Sequence, residues 1–166
     1  MSIMRLVFWS VGLSFLISIS SADEGKIAPP LTAKLLNGES FSLSASTGKV
    51  VILHFWATWC APCMKEMPAF EVYYKKHHRE GLEIVAISMD KPADEAKART
   101  MAKDFSFLAA FGKDTSFKGY GRIWKMPLTF VIDRKGILRK EDWDGENGID
   151  AALLDQTVTP LLKAAP

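Results

Sequence analysis

Cys60 and Cys63 are the only two cysteines in a chain of 166 residues, and two residues separate them in Trp59-Cys60-Ala61-Pro62-Cys63. Thiols at this spacing can carry two electrons. One sulfur attacks a disulfide as the thiolate, the other resolves the mixed disulfide, and the pair ends up oxidised. A bridge between them closes a ring of only four residues. It would remove little entropy from the unfolded chain, so stabilisation is not its main purpose. The competing use of a C-x-x-C pair is half of a zinc site. Structural zinc wants four ligands at ordered spacing, and the chain offers no second cysteine pair, only His54, His77 and His78. Redox chemistry is the better reading.

The neighbouring elements place the two sulfurs. Val50–Trp56 is continuously apolar but for His54, which suits a strand covered on both faces. Pro62 fits the first turn of a helix running to about Arg79, where its missing N–H costs nothing. Cys60 then sits at the N-cap edge, where unpaired N–H groups and the helix dipole favour its thiolate. This marks Cys60 as the nucleophile. Cys63, one turn in and less exposed, is the resolving thiol. Glu66 follows three residues later, so the helix can carry it beside Cys63. Partly desolvated, that carboxyl would titrate high enough to accept the proton of Cys63. Spacing alone equally allows an ordinary exposed glutamate in a helix first turn.

Around this core the pattern is regular. Leu31–Leu36 and Ser40–Leu43 flank Asn37-Gly38, a two-residue hairpin signal. Pro68 should kink the first helix, and Gly81 stops it. Leu82–Ser88 is a second strand, and Pro92–Asp104 reads as a largely exposed helix. Asp114 is placed to cap a short helix over Thr115–Tyr120, ending at Gly121. Leu128–Ile132 is a third buried strand. Asp133-Arg134-Lys135-Gly136 turns it into an antiparallel neighbour, Ile137–Trp143. Ile149–Lys163 closes the chain as an amphipathic helix. Strands alternating with helices, then a hairpin and a helix, predict an α/β fold: a central mixed sheet with helices on both faces and an N-terminal β-hairpin.

Residues 1–22 stand apart. Arg5 is the only charge before Asp23, Leu6–Ile19 is largely apolar, and Ser20-Ser21-Ala22 offers small residues for cleavage. This is the anatomy of a secretory signal, short for a membrane span, with an uncleaved anchor as the alternative. Its removal takes one arginine and no acid, lowering the formal charge from +2 to +1. Near-neutrality leaves no electrostatic footprint for nucleic acid, and membrane contact would need residues 1–22 to remain attached. Residues 23–166 are long enough to bury a single domain's core without staples.

The segment Phe55-Trp56-Ala57-Thr58-Trp59-Cys60-Ala61-Pro62-Cys63-Met64-Lys65-Glu66-Met67-Pro68 resembles the active site of extracytoplasmic thioredoxin-like proteins of the TlpA/ResA/DsbE type. Met126-Pro127-Leu128-Thr129-Phe130-Val131-Ile132-Asp133 and Gly136 resemble that family's second signature, and the likeness runs from about Lys26 to Leu162. It implies a thioredoxin-like fold in which Pro127 is the cis-proline facing the cysteines, with the Met126 backbone free for an extended client. Trp59, Met126 and Pro62 would line the substrate surface, Trp59 as an aromatic lid beside the disulfide. The match at Glu66-x-Pro68 favours Glu66 as the proton acceptor. His54 stands where thioredoxin has a buried Asp. Proton transfer is open to it, but a core histidine satisfied by a backbone carbonyl is preferred. Trp124-Lys125 departs from the family, which commonly has Gly just before the X of X-Pro. His77-His78 reads as a solvated pair at a helix end.

The resemblance implies a thiol–disulfide oxidoreductase needing no cofactor beyond the Cys60–Cys63 pair. It would act as a reductase of client protein disulfides in cytochrome c maturation or copper-centre assembly. Its electrons would come from a membrane thiol donor of the DsbD/CcdA kind. A thiol peroxidase would need Pro-x-x-x-Thr-x-x-Cys, and Leu53 and Ala57 hold those two positions before Cys60. A copper chaperone could use both thiolates, although related copper-assembly proteins space their cysteines by three residues.

Overall fold

Asn37-Gly38 turns the chain between β1 (Thr32–Leu35) and β2 (Ser40–Ser42). Gly38 adopts a φ of 92°, and the Glu39 N–H donates to Asn37 Oδ1. The computed structural model describes residues 23–141, 143 and 148–165. The expected leader lies outside these.

After a 3₁₀ turn at Leu43–Ser46, the apolar run forms β3 (Val50–Trp56), buried along its whole length. A strand buried on both faces is what continuous apolar sequence can satisfy. Helix α1 (Ala61–His77) returns the chain to β4 (Leu82–Ser88), which lies parallel to β3 with Val50 beside Leu82 and Trp56 beside Ser88. Helix α2 (Glu95–Ala102) then leads to β5 (Leu108–Ser116), parallel to β4. The chain crosses to the far side of β3, where β6 (Leu128–Ile132) runs antiparallel to it and β7 (Leu138–Lys140) follows. Helices α3 (Ala151–Thr157) and α4 (Thr159–Lys163) close the fold. The seven-stranded sheet has the order β2-β1-β5-β4-β3-β6-β7, with the N-terminal hairpin joined antiparallel to β5.

Alternation along β3 divides the core. Val50, Ile52 and Trp56 face a layer built on α1 (Cys63, Met67, Phe70), α2 (Ala98), α3 (Leu154) and α4 (Leu162). Val51, Leu53 and Phe55 face the other way, under Ala28, Leu31, Leu43 and Tyr120. Helical cover on that second face comes from the 3₁₀ turns Leu43–Ser46 and Lys118–Tyr120.

Three expectations are corrected. The helix expected over Thr115–Tyr120 is displaced by β5, which runs through Asp114 to Ser116; only Lys118–Tyr120 turns, before Gly121. Ala, Gly, Lys and Asp carry little strand propensity, so pairing decides β5: β4 lies beside Leu108–Phe111, and β1 pairs with Thr115 and Ser116. The closing helix is two helices. Pro160 cannot donate to the Gln156 carbonyl, and the break falls at Val158. The last strand is shorter than Ile137–Trp143. Pro68 lies within α1, whose helical span continues to His77.

Candidate active site

Cys60 and Cys63 are joined by a disulfide at the start of α1, with Cα atoms 5.3 Å apart. Cys60 is the N-cap residue, Pro62 stands in the first turn, and the Cys63 N–H donates to Cys60 Sγ at 3.3 Å. One of the helix's orphan donors thus points at this sulfur, the arrangement that stabilises a thiolate there once the pair is reduced. Cys60 is 4% exposed and Cys63 fully buried, so the outer sulfur is the one a partner can reach. Trp59 is 63% exposed. It extends into solvent beside the disulfide where a packed lid was expected.

Glu66 is carried by α1 into the core, 2% exposed, and its Oε1 accepts from the Ile149 N–H at 3.0 Å. Gly148 lies against it with a φ of 88°, and a Cβ there would stand 3.3 Å from Oε1. The exposed-glutamate alternative is ruled out by this burial.

The β3–β6 register sets Phe55 opposite Leu128. Pro127 is therefore level with Trp56, at the end of the sheet from which the Cys60 loop departs. The Met126–Pro127 bond is cis, and Met126 packs against the cluster that contains both cysteines. Residues far apart in sequence thus meet around one disulfide.

His54 is fully buried and its ring lies 4.8 Å from that of Phe70. Its Nδ1 is 3.0 Å from the Thr129 hydroxyl, the partner it takes in place of the backbone carbonyl that was expected. Burial pushes its pKa down to about 3, so the imidazole is neutral at ordinary pH. His77 is also a correction: it is buried against Tyr73, with Nδ1 3.1 Å from Glu80, while His78 is exposed.

A further group escaped the sequence reading. Asp90, just past β4, receives the Thr58 N–H on both carboxylate oxygens at 3.1 and 3.0 Å. The Thr58 and Ser88 hydroxyls each donate to it at 2.8 Å. The loop carrying Trp59 and Cys60 is thereby tied to the end of β4. Its one available signal was an Asp at the carboxyl end of a parallel strand, where α/β sheets build their sites.

Residues 25–141 match the family described as AhpC/TSA. The chain belongs to the AhpC/TSA family. ResA from one strain of Bacillus cereus, a thiol-disulfide oxidoreductase, is 37% identical over 112 residues, which are 68% of this chain and 65% of that protein. ResA from a second Bacillus cereus strain is 34% identical over 144 residues, covering 84% of this chain and 83% of that one. Among solved structures, a Chlorobium tepidum chain described as thiol:disulfide interchange protein DsbE superposes with a TM-score of 0.69 at 31% identity. That match covers 86% of this chain and 99% of the other. This AhpC/TSA member thus takes its place among the thiol-disulfide oxidoreductases of thioredoxin-like fold. Where a peroxidatic site would need Pro and Thr, it has Leu53 and Ala57 buried in the core.

Proposed function

We propose that this protein reduces client protein disulfides outside the cytoplasm, with Cys60 as nucleophile, Cys63 as resolving thiol and Glu66 as proton acceptor. In the reduced protein, the Cys60 thiolate attacks one sulfur of the client disulfide and releases the other as a thiolate. The Cys63 proton passes to the Glu66 carboxylate. The Cys63 thiolate then attacks Cys60 Sγ, and the second client sulfur leaves. Client disulfide and enzyme dithiol become client dithiol and the Cys60–Cys63 disulfide: two electrons move to the client, whose two thiolates take up the proton held on Glu66 and one from solvent, where Cys60 had released its own. The observation that carries this reading is the disulfide itself, N-capping α1 with its outer sulfur receiving the Cys63 N–H.

The leader pattern of residues 1–22 supports export. The likeness to ResA and DsbE supports clients of the cytochrome c maturation or copper-centre type, with electrons returned by a membrane thiol donor of the DsbD/CcdA kind. Trp59, Pro62 and Met126 would contact the client.

Insulin reduction and client trapping test the reading. Cys60→Ser should abolish turnover, and Cys63→Ser should accumulate mixed disulfides on a non-reducing gel. Trapping by Cys60→Ser instead would reverse the two roles. A reduction potential well below that of the surrounding thiol pool is expected of a reductase; one near or above it would make the protein an oxidase or isomerase.

A further inference from the structure

We propose that Trp124 sets client choice: with Trp59 it forms a two-indole rim at the disulfide that grips an extended client segment bearing an aromatic or large aliphatic side chain next to its reactive cysteine. The proposal rests on the thiol-disulfide exchange assigned above and adds the chemistry of the client's flanking residue.

Trp124 is 78% exposed and Trp59 63%, in a molecule whose other described large apolar side chains left this open are only Ile27 and Val72. An indole offers a large apolar body with one polar N–H, the chemistry found at the centre of binding surfaces, and leaving two in water gives the monomer nothing. Both stand at one end of the sheet. Trp59 immediately precedes Cys60 on the loop leaving β3. Trp124 precedes Met126 by two residues, at most ~7 Å of chain, and Met126 packs on the cluster holding both sulfurs. Ile27, in the lead-in bridged to Ile137, and Val72, on the outer side of α1, lie on other parts of the surface.

The occupant follows from the main chain beside Trp124. Among the described residues, no hydrogen bond engages the backbone of Trp124 or Met126, and the β3–β6 ladder begins only at Leu128. An extended segment can pair with these free groups as an added strand. In such a strand, neighbouring side chains alternate in direction. A cysteine directed at Cys60 therefore leaves its neighbours to meet the rim. The Thr58–Asp90 bonds hold the Trp59 side of that rim in place, so the client need not order it on binding.

Two disulfide-linked peptides, identical except for Phe or Ser beside the cysteine, test this with the full-length reduced protein. The expected result is a preference of about tenfold in kcat/KM for the Phe peptide, expressed in KM. Trp124→Ala should erase the preference by raising the KM for the Phe peptide alone, Trp124→Phe should keep most of it, and Val72→Ala should leave both rates unchanged. The proposal is overturned by a wild type without preference, by a Trp124→Ala variant that keeps it, or by an equal loss on both peptides. Failure of the wild type to reduce either peptide would instead overturn the exchange activity itself.

Discussion

A carboxyl group three residues beyond Cys63 ends up in the core with its Oε1 under the Ile149 N–H. Glu66→Gln tests what that group is for. Glutamine keeps an oxygen for Ile149 and the same volume, so the fold should persist while the proton acceptor is lost. Attack by Cys60 on a client should proceed almost normally, and resolution by Cys63 should slow by about a hundredfold. Rapid acid quench followed by counting mixed disulfides separates the two steps. Equal rates for both would make Glu66 structural. The sequence could place this residue on the helix face shared with Cys63. It could not show that Gly148-Ile149, far along the chain, supplies the lid over the carboxylate, because that contact exists only once α3 packs against α1.

At the scale of elements, the loop between β3 and α1 has to deliver Cys60 at a fixed angle, and Asp90 fastens it. Asp90→Ala would strand three donors, the Thr58 N–H and the Thr58 and Ser88 hydroxyls. It should cost about 1–3 kcal/mol in a denaturant titration. Asp90→Asn keeps one acceptor oxygen and should lose less. Equal stability of both variants would show that water replaces the carboxylate. The adjacent strands β4, β3 and β6 were legible from end to end because each is a largely apolar run bounded by turn residues. The segment around Asp114 was not: its composition disfavours a strand, and pairing with β1 at Thr115 and Ser116 makes it one.

For the molecule as a whole, His54, Glu71 and Asp133 act together on the acid side of neutrality. His54 in the unfolded chain takes a proton below about 6.5, whereas in the folded protein burial withholds it until about pH 3. Between these values the unfolded state binds more protons, so stability falls as the pH falls, by up to ~1.4 kcal/mol per unit. Glu71 and Asp133 act with the same sign further down. Burial works against their ionised forms, but bonds from Lys75 and Ser106 to Glu71, and from Ile137, Arg139 and Lys135 to Asp133, outweigh it and lower both pKa values. Their contribution is complete above the ordinary carboxylate range and lost as pH drops through the lowered values. The thermal midpoint should therefore decline steadily from pH 7 towards 3. His54→Asn, which can still meet the Thr129 hydroxyl, should flatten the upper part of that decline; an unchanged slope would show that His54 is charged in the fold. The redox pair, the strand–helix junction that presents it and the family were all written in the sequence, because they depend on short-range spacing and apolar periodicity. Tertiary structure alone decided the rest: the Asp90 clasp, the Gly148-Ile149 lid, the strand at Leu108–Ser116 and the packing of Met126 on the cluster that holds both cysteines. Each of these joins segments distant in sequence, and no local preference of the chain encodes which distant groups will meet.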